Sequence, residues 1–168
     1  NLSLSSADAG ASSITDNLGS SIAVTNVATL ASSGNITLDS VGNDFNSVVL
    51  NGVTGNAQID DANNITVSGT GSALVNVRSG ANNGIGGAFN VVLGNLTVGS
   101  LAATARDGTG GTGGGVSGTI TQASGTRIHS FGAASFTTDG ANIVVNNTGN
   151  NFGRVNASAG NAGITLRE

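Results

Sequence analysis

The stretch Gly34–Phe45, GNITLDSVGNDF, returns 107 residues later as Ala141–Phe152, ANIVVNNTGNNF, with no gap between the aligned copies. Each copy contains a tetrad made of an asparagine, an aliphatic residue, a small residue and a second aliphatic residue. Further tetrads occupy 1–4, 64–67 and 95–98, and a copy without the asparagine occupies 163–166. Apolar residues at every second position are typical of β-strands, and their recurrence predicts a repeat architecture.

The similarity between the two halves extends beyond this stretch, because residues 22–62 resemble residues 128–167. We therefore interpret residues 1–168 as one β-solenoid segment with a degenerate internal repeat. The segment 106–118, RDGTGGTGGGVSG, has no counterpart in the first half. Its glycines predict a loop that leaves one coil of the solenoid.

The composition favours a solenoid over the other all-β architectures. The chain has five Phe and no Trp, Tyr, Pro or Cys. A sandwich or a closed barrel usually buries several large aromatic side chains, whereas a narrow parallel solenoid is filled by stacked aliphatic residues. We therefore predict an all-β, single-stranded parallel β-helix. At roughly 20 residues per coil the chain makes roughly eight coils, and the internal repeat corresponds to about five of them.

The asparagines that begin the tetrads have two candidate roles. At equivalent positions of successive coils, their side-chain amides can hydrogen-bond to one another as ladders along the rod. Several also lie in Asn-x-Ser/Thr sequons, the acceptor pattern for N-glycosylation in secreted proteins. Because Asn suits a turn and Thr suits a strand, the tetrad alone accounts for most of these sequons. The candidate glycosylation sites are Asn35, Asn64, Asn95, Asn146 and Asn156, and Asn1 begins a further sequon.

The low charge of the chain excludes several classes of partner. Charged residues make up 8% of the sequence, and the formal net charge is −4. Because binding to phosphates needs clustered Lys and Arg, we expect no nucleic-acid partner. No apolar run approaches the ~18 residues of a membrane span, so we expect no membrane insertion. Without Cys, neither disulfide bonds nor thiolate metal sites can hold the fold.

Few residues are candidates for catalysis or metal binding. Asp60 and Asp61 are adjacent, and paired carboxylates can hydrolyse glycosides, but the rest of a hydrolase motif is missing, so we interpret the pair as a solvated turn. His129 alternates with Ile128 and is expected to face outward. Asp44 or Asp60 could contribute to a structural ion, although a hard cation needs 6–8 oxygen ligands and no Asp recurs in phase. We therefore predict no catalytic residue, no cofactor and no metal site.

Three motifs carry a resemblance to a known family: the Asn-Ile-Thr-Leu tetrads, Gly42–Phe45 with its echo Gly149–Phe152, and Gly118–Gly125, GTITQASG. They resemble the repeat regions of filamentous-haemagglutinin-like large exoproteins. These are adhesins of Gram-negative bacteria, exported by two-partner secretion or as autotransporter passengers. The resemblance implies a right-handed β-helix that is secreted or displayed on the bacterial cell surface, although a shared fold does not by itself carry an activity.

We therefore expect a non-catalytic segment of a secreted bacterial surface adhesin, a stiff rod that displays loops such as 106–118 for attachment. The expected partner is a host glycan or a protein surface. An alternative is a structural extracellular filament or matrix protein, in which strand edges at the ends of the solenoid stack on other copies. A third alternative is a polysaccharide-active β-helical enzyme, which a cleft of clustered carboxylates would support.

Overall fold

The structure, a computed structural model, describes residues 1–6, 12–80, 86–108 and 118–168. These residues form 13 strands and no helix, and so contain no helix able to span a membrane. Every pairing between the strands is parallel, which confirms the predicted all-β parallel β-helix. The strands are β1 (Leu2–Ser6), β2 (Ile14–Thr15), β3 (Ala23–Ser32), β4 (Ile36–Leu38), β5 (Asp44–Val53), β6 (Ala57–Asp60), β7 (Ile65–Ser79), β8 (Val91–Ala105), β9 (Ile120–Gln122), β10 (Ile128–Thr138), β11 (Ile143–Val145), β12 (Asn151–Ser158) and β13 (Ile164–Leu166).

The strands stack in two columns that run along the rod. Column A contains β1, β3, β5, β7, β8, β9, β11 and β13, each hydrogen-bonded to the next. Column B contains β2, β4 and β6, followed by the C-terminal parts of β7, β8, β10 and β12. The long strands β7 and β8 bend at register shifts and therefore belong to both columns. The eight layers of column A agree with the roughly eight coils predicted.

The interior of the rod is a continuous stack of aliphatic side chains. In column B the inward positions of successive coils are occupied by Ile36, Ala57, Val75 and Leu101, each 1% exposed. Thr37 lies on the outer face, so this tetrad has the alternation that its sequence predicts. Burying one Val, Leu or Ile side chain contributes about 1.5–3 kcal/mol. Each coil obtains this contribution only by packing against its neighbours.

Both copies of the internal repeat form the same corner, by which we mean the place where a buried asparagine accepts a main-chain N–H of the preceding coil. In the first copy the buried Asn43 side chain accepts a hydrogen bond from the Ile22 N–H at 3.0 Å. In the second copy the buried Asn150 side chain accepts one from the Ile128 N–H at 2.9 Å. A register shift follows at the matching point of each copy, in β3 and in β10. The two halves therefore share a scaffold as well as a sequence pattern.

The repeat does not span a whole number of coils. Ile36 lies in column B, but its counterpart Ile143 lies in column A. Four coils separate Ile36 from Ala134 within column B, and half a coil more leads to Ile143. The repeat therefore spans about four and a half coils, close to the correspondence of about five that the sequence predicts. The coil from Leu101 to Ala134 is longer than assumed because it includes the segment 106–118.

Side-chain amides of asparagine join neighbouring coils. Asn90 Nδ2 donates to Asn64 Oδ1 at 3.1 Å, a contact between two coils rather than the ladder along the rod that the sequence predicts. At other tetrads the amide oxygen instead accepts a main-chain N–H of the following coil, as Asn95 does from Arg127 at 2.9 Å. The asparagines therefore satisfy main-chain donors at the points where the strand ladders begin.

We predict that Asn150→Ala lowers the free energy of unfolding by about 1–3 kcal/mol, because the Ile128 N–H loses its partner inside the protein. Urea denaturation followed by circular dichroism measures this loss. Asn146→Ala, at an exposed position near the same turn, is the matched control. It should change the free energy of unfolding by less than about 0.5 kcal/mol. Equal losses in the two variants would contradict the structural role of Asn150.

Candidate functional site

Four polar side chains lie one above another on the outer surface of the rod. Thr70 pairs in register with Thr97, Thr97 with His129, and His129 with Asn151. Successive coils are ~4.8 Å apart, so the row is about 14 Å long. Because Ile128, beside His129, is fully buried, the alternation directs the row outward. This confirms the predicted outward position of His129, which is half-exposed.

The row forms the floor of a groove of about 560 Å³. Gly69 and Gly149 contribute no side chain to the groove, which leaves space above its floor. Asn95 and Arg127 lie two residues before members of the row and form one margin of the groove. The groove therefore runs along the rod, across several coils, rather than along a single strand.

The groove carries a positive charge without a neighbouring negative one. The Arg127 side chain lies over the turn at Gly149, where an added Cβ would approach its Nε to 3.1 Å. Among the described residues, no carboxylate lies within 4.0 Å of Arg127 and none lines the groove. The side chains that face this groove are therefore hydrogen-bonding groups, one imidazole and one guanidinium.

An exposed aromatic side chain lies beside the groove, against His129. Phe131 is 66% exposed, and the centre of its ring lies 4.2 Å from that of His129, with the rings tilted by 43°. Phe131 also borders an adjoining apolar trough of about 280 Å³, to which Gly52 and Gly71 contribute. Thr97 lines both depressions. Groove and trough therefore form one surface with a polar side and an apolar side.

The first copy of the repeat provides an internal comparison for this surface. It has the same buried asparagine and the same register shift, but different residues at the outward positions. Arg127, His129, Phe131 and Asn151 correspond in that copy to Ser21, Ala23, Thr25 and Asp44. The scaffold therefore requires neither the guanidinium nor the imidazole nor the exposed ring. Their presence in the second copy points to a role other than folding.

Only part of this surface can be predicted from the sequence. His129 is recognisable as the one imidazole and Asn95 as the start of a sequon, whereas no local pattern marks Arg127, Phe131 or Asn151 as binding residues. The signal that identifies these residues is their difference from the first copy. That signal becomes informative once the register shows that they share one outer face.

The interpretation of Asp60 and Asp61 as a solvated turn is wrong, because neighbouring coils cover both carboxylates. Asp60 forms an ion pair with Arg78. Asp61 accepts hydrogen bonds from the main-chain N–H groups of Phe45, at 2.5 Å, and Asn63, at 2.8 Å. Burial raises the pKa of Asp61 to about 7, although these two hydrogen bonds oppose the shift. Burial also raises the pKa of Asp60, against the opposing effect of Arg78.

The five candidate glycosylation sites are all exposed. Asn35, Asn64 and Asn95 use their amide oxygens to accept main-chain N–H groups of the following coil. Asn146 follows β11, and Asn156 lies within β12. The first three asparagines therefore have a structural role that accounts for their place in the tetrads.

Two further predictions concern the loop 106–118 and a structural ion. Residues 109–117 of this loop lie outside the described residues, while its ends lie close together, with the Gly118 N–H donating to the Arg106 carbonyl at 3.4 Å.

In the part of the chain that the structure describes, no three His, Asp or Glu side chains are grouped so as to hold a metal ion. The Asp44 carboxylate instead accepts a hydrogen bond from Asn63 Nδ2 at 2.9 Å.

Known proteins provide no template for this surface. No protein-family model, no curated protein and no solved structure matches the chain. What the groove binds must therefore be inferred from its own residues.

We predict that the free energy of unfolding falls as the pH rises from about 4 to about 8. The pKa of Asp61 is about 7 in the folded chain and returns to its ordinary value of 3.8 on unfolding. Between these values the folded chain holds a proton that the unfolded chain has released. The resulting stabilisation is complete below the unfolded pKa and is lost as the pH rises through the folded pKa. The slope reaches at most about 1.4 kcal/mol per pH unit.

Urea denaturation at a series of pH values measures this slope. Asp61→Asn removes the titrating carboxyl group and should flatten much of the pH dependence. Asp139→Asn changes an exposed turn residue and should leave the slope intact. A slope that is the same in Asp61→Asn as in the native chain would contradict the assignment to Asp61.

Proposed function

We propose that this chain is a non-catalytic, carbohydrate-binding segment of a secreted bacterial surface adhesin, built as a stiff β-helical rod. The observation that supports this proposal is the groove, in which hydrogen-bonding side chains lie beside an exposed aromatic ring. The attachment surface proposed here is the face of the rod itself rather than the loop 106–118.

The groove suits the two kinds of surface that a sugar ring presents. The C–H face of a sugar is apolar, and its rim carries hydroxyl groups. The exposed ring of Phe131 can pack against the apolar face. The Thr97 hydroxyl and the Asn151 amide can both donate and accept hydrogen bonds. Thr70 and Asn95 already accept main-chain N–H groups and can donate through their O–H and N–H groups. These side chains therefore complement both surfaces of a carbohydrate.

The groove residues are held by the rod rather than by flexible loops. Thr70 lies in β7, Thr97 in β8 and His129 in β10, and main-chain hydrogen bonds between these strands fix the spacing of their side chains. A site on rigid elements loses little conformational entropy when it binds. This preorganisation favours attachment to a repetitive ligand.

The chemistry of the groove favours binding over hydrolysis. Glycoside hydrolysis generally uses two carboxyl groups that flank the bond to be broken. Among the described residues, none that line the groove carries a carboxylate. The adjacent pair Asp60 and Asp61 is buried, and its carboxylates bind Arg78 and main-chain N–H groups. A polysaccharide-active enzyme would need a different arrangement.

The sequence motifs support the proposed location. The tetrads and the stretch Gly42–Phe45 resemble those of secreted adhesins of Gram-negative bacteria. A rod stabilised by main-chain bonds between coils and by an aliphatic core is suited to serve as a spacer and a binding surface.

We predict that Phe131→Thr weakens glycan binding by about two- to tenfold, because a stacking aromatic contact contributes about 0.5–1.5 kcal/mol beyond its buried area. Thr occupies the corresponding position 25 in the first copy, so the scaffold accepts it. Screening the protein against immobilised glycans, followed by calorimetry of the best binder, measures the effect. Leu18→Thr removes another exposed apolar side chain, outside the groove, and should bind as the native chain does. Binding that is unchanged in Phe131→Thr would contradict the proposed site.

A second candidate function is assembly into an extracellular filament by end-to-end stacking. Among the described residues, β1 and β2 at one end of the rod, and β12 and β13 at the other, each pair with a strand on one side only. Such edges can pair with strands of another copy. Electron microscopy over a range of concentrations tests this candidate. Filaments of uniform width that persist on dilution would support it, and separate short rods would contradict it.

A further inference from the structure

We propose that the groove binds a linear acidic polysaccharide of the polyuronate type, lying along the axis of the rod with a carboxylate paired to Arg127. This inference rests on the proposed function, because it names the class of carbohydrate that the groove takes. Three features carry it: the charge at the margin, the direction of the polar row, and the difference between the two copies of the repeat.

The first feature is the charge at the margin. Arg127 borders the groove, and among the described residues no carboxylate lies within 4.0 Å of it. Arg78 differs, because its guanidinium is paired with Asp60. A guanidinium presents parallel N–H donors that match the two oxygens of a carboxylate. Since the whole chain has a net charge of −4, this positive margin is a local feature that selects an acidic group.

The second feature is the direction of the polar row. Thr70, Thr97, His129 and Asn151 present one polar side chain per coil along the axis, at intervals of ~4.8 Å. That interval is close to the length of one sugar unit in an extended chain. A linear polysaccharide along the axis therefore meets a hydrogen-bonding side chain at each step.

The cation and the aromatic ring lie on either side of His129 along the chain. Arg127 directly precedes β10 and lines the groove, while Phe131 follows His129 in β10, with its ring against the imidazole. A uronic acid has an apolar C–H face and an acidic edge. An apolar sugar face can contact Phe131 while a carboxylate of the same polysaccharide chain pairs with Arg127. A neutral sugar chain would use only the first of these contacts.

The third feature is the difference between the two copies. At the corresponding positions the first copy has Ser21 in place of the guanidinium and Asp44 in place of Asn151. The second copy therefore gains a cation and lacks a carboxylate on the same scaffold. Both differences favour an anion in the groove, and neither is needed for the corner to fold.

The test uses the whole chain and two matched probes, oligogalacturonate and its neutral methyl ester, with binding measured by calorimetry. The native chain should bind the acid form at least about tenfold more tightly than the ester, as a charge-assisted hydrogen bond contributes. Arg127→Ser should remove this preference. Asn151→Asp, which places a carboxylate at the groove floor and removes an amide donor, should weaken binding of the acid form more than binding of the ester. Both variants introduce residues that the first copy already carries.

Arg167→Ser is the control, because it removes one exposed positive charge outside the groove. It should leave the preference for the acid form unchanged. Equal binding of the two probes by the native chain, or a preference that survives Arg127→Ser, would overturn the inference. If neutral glycans bind with the expected sensitivity to Phe131→Thr while neither uronate probe binds, the inference fails and the proposed function stands. If no glycan binds the groove, both fail.

Discussion

The parallel register between neighbouring coils is the constraint on which this structure depends. A strand such as β8 has no partner nearby in sequence, because its hydrogen bonds go to β7, β9 and β10. The same register determines both surfaces of the wall. Pairing Thr97 with His129 on the outside requires that Leu96 pair with Ile128 on the inside. The aliphatic core and the polar groove are therefore two consequences of one alignment, and a slip of one residue would exchange them.

Where the strand ladders begin or end, polar side chains replace the missing main-chain partners. Asn43 and Asn150 accept main-chain N–H groups at the two equivalent corners. Asp61 performs the same task for Phe45, but with a group that titrates. An amide at this position would serve over the whole pH range, whereas the buried carboxyl group makes one coil boundary sensitive to pH. The corners therefore differ in chemistry although they serve one structural purpose.

The sequence predicts the strands of the rod better than it predicts the number of residues in each coil. Tetrads such as Asn35–Leu38 alternate strictly, so strand positions, inward residues and a parallel β-helix follow from local pattern. The length of each coil depends on segments such as 106–118, which have no pattern. That the repeat spans an extra half coil, which puts Ile36 and Ile143 in different columns, therefore could not be predicted. Neither could the groove, whose row members are unevenly spaced along the chain and meet only through the register. The burial of Asp61 was missed for a related reason, because the groups that cover it come from other coils.

The extra half coil in the internal repeat affects how many ligands such a rod can hold. Because Ile36 and Ile143 occupy different columns, equivalent corners of the two copies face different sides of the rod. A duplication by a whole number of coils would extend one binding track along a single side. A duplication in this phase instead places the two corners on sides of the rod that face apart. Arg127 and Phe131 occur in one copy alone, so the proposed site would hold a single polymer strand, and the same residues on the other corner would make the chain a bridge between two.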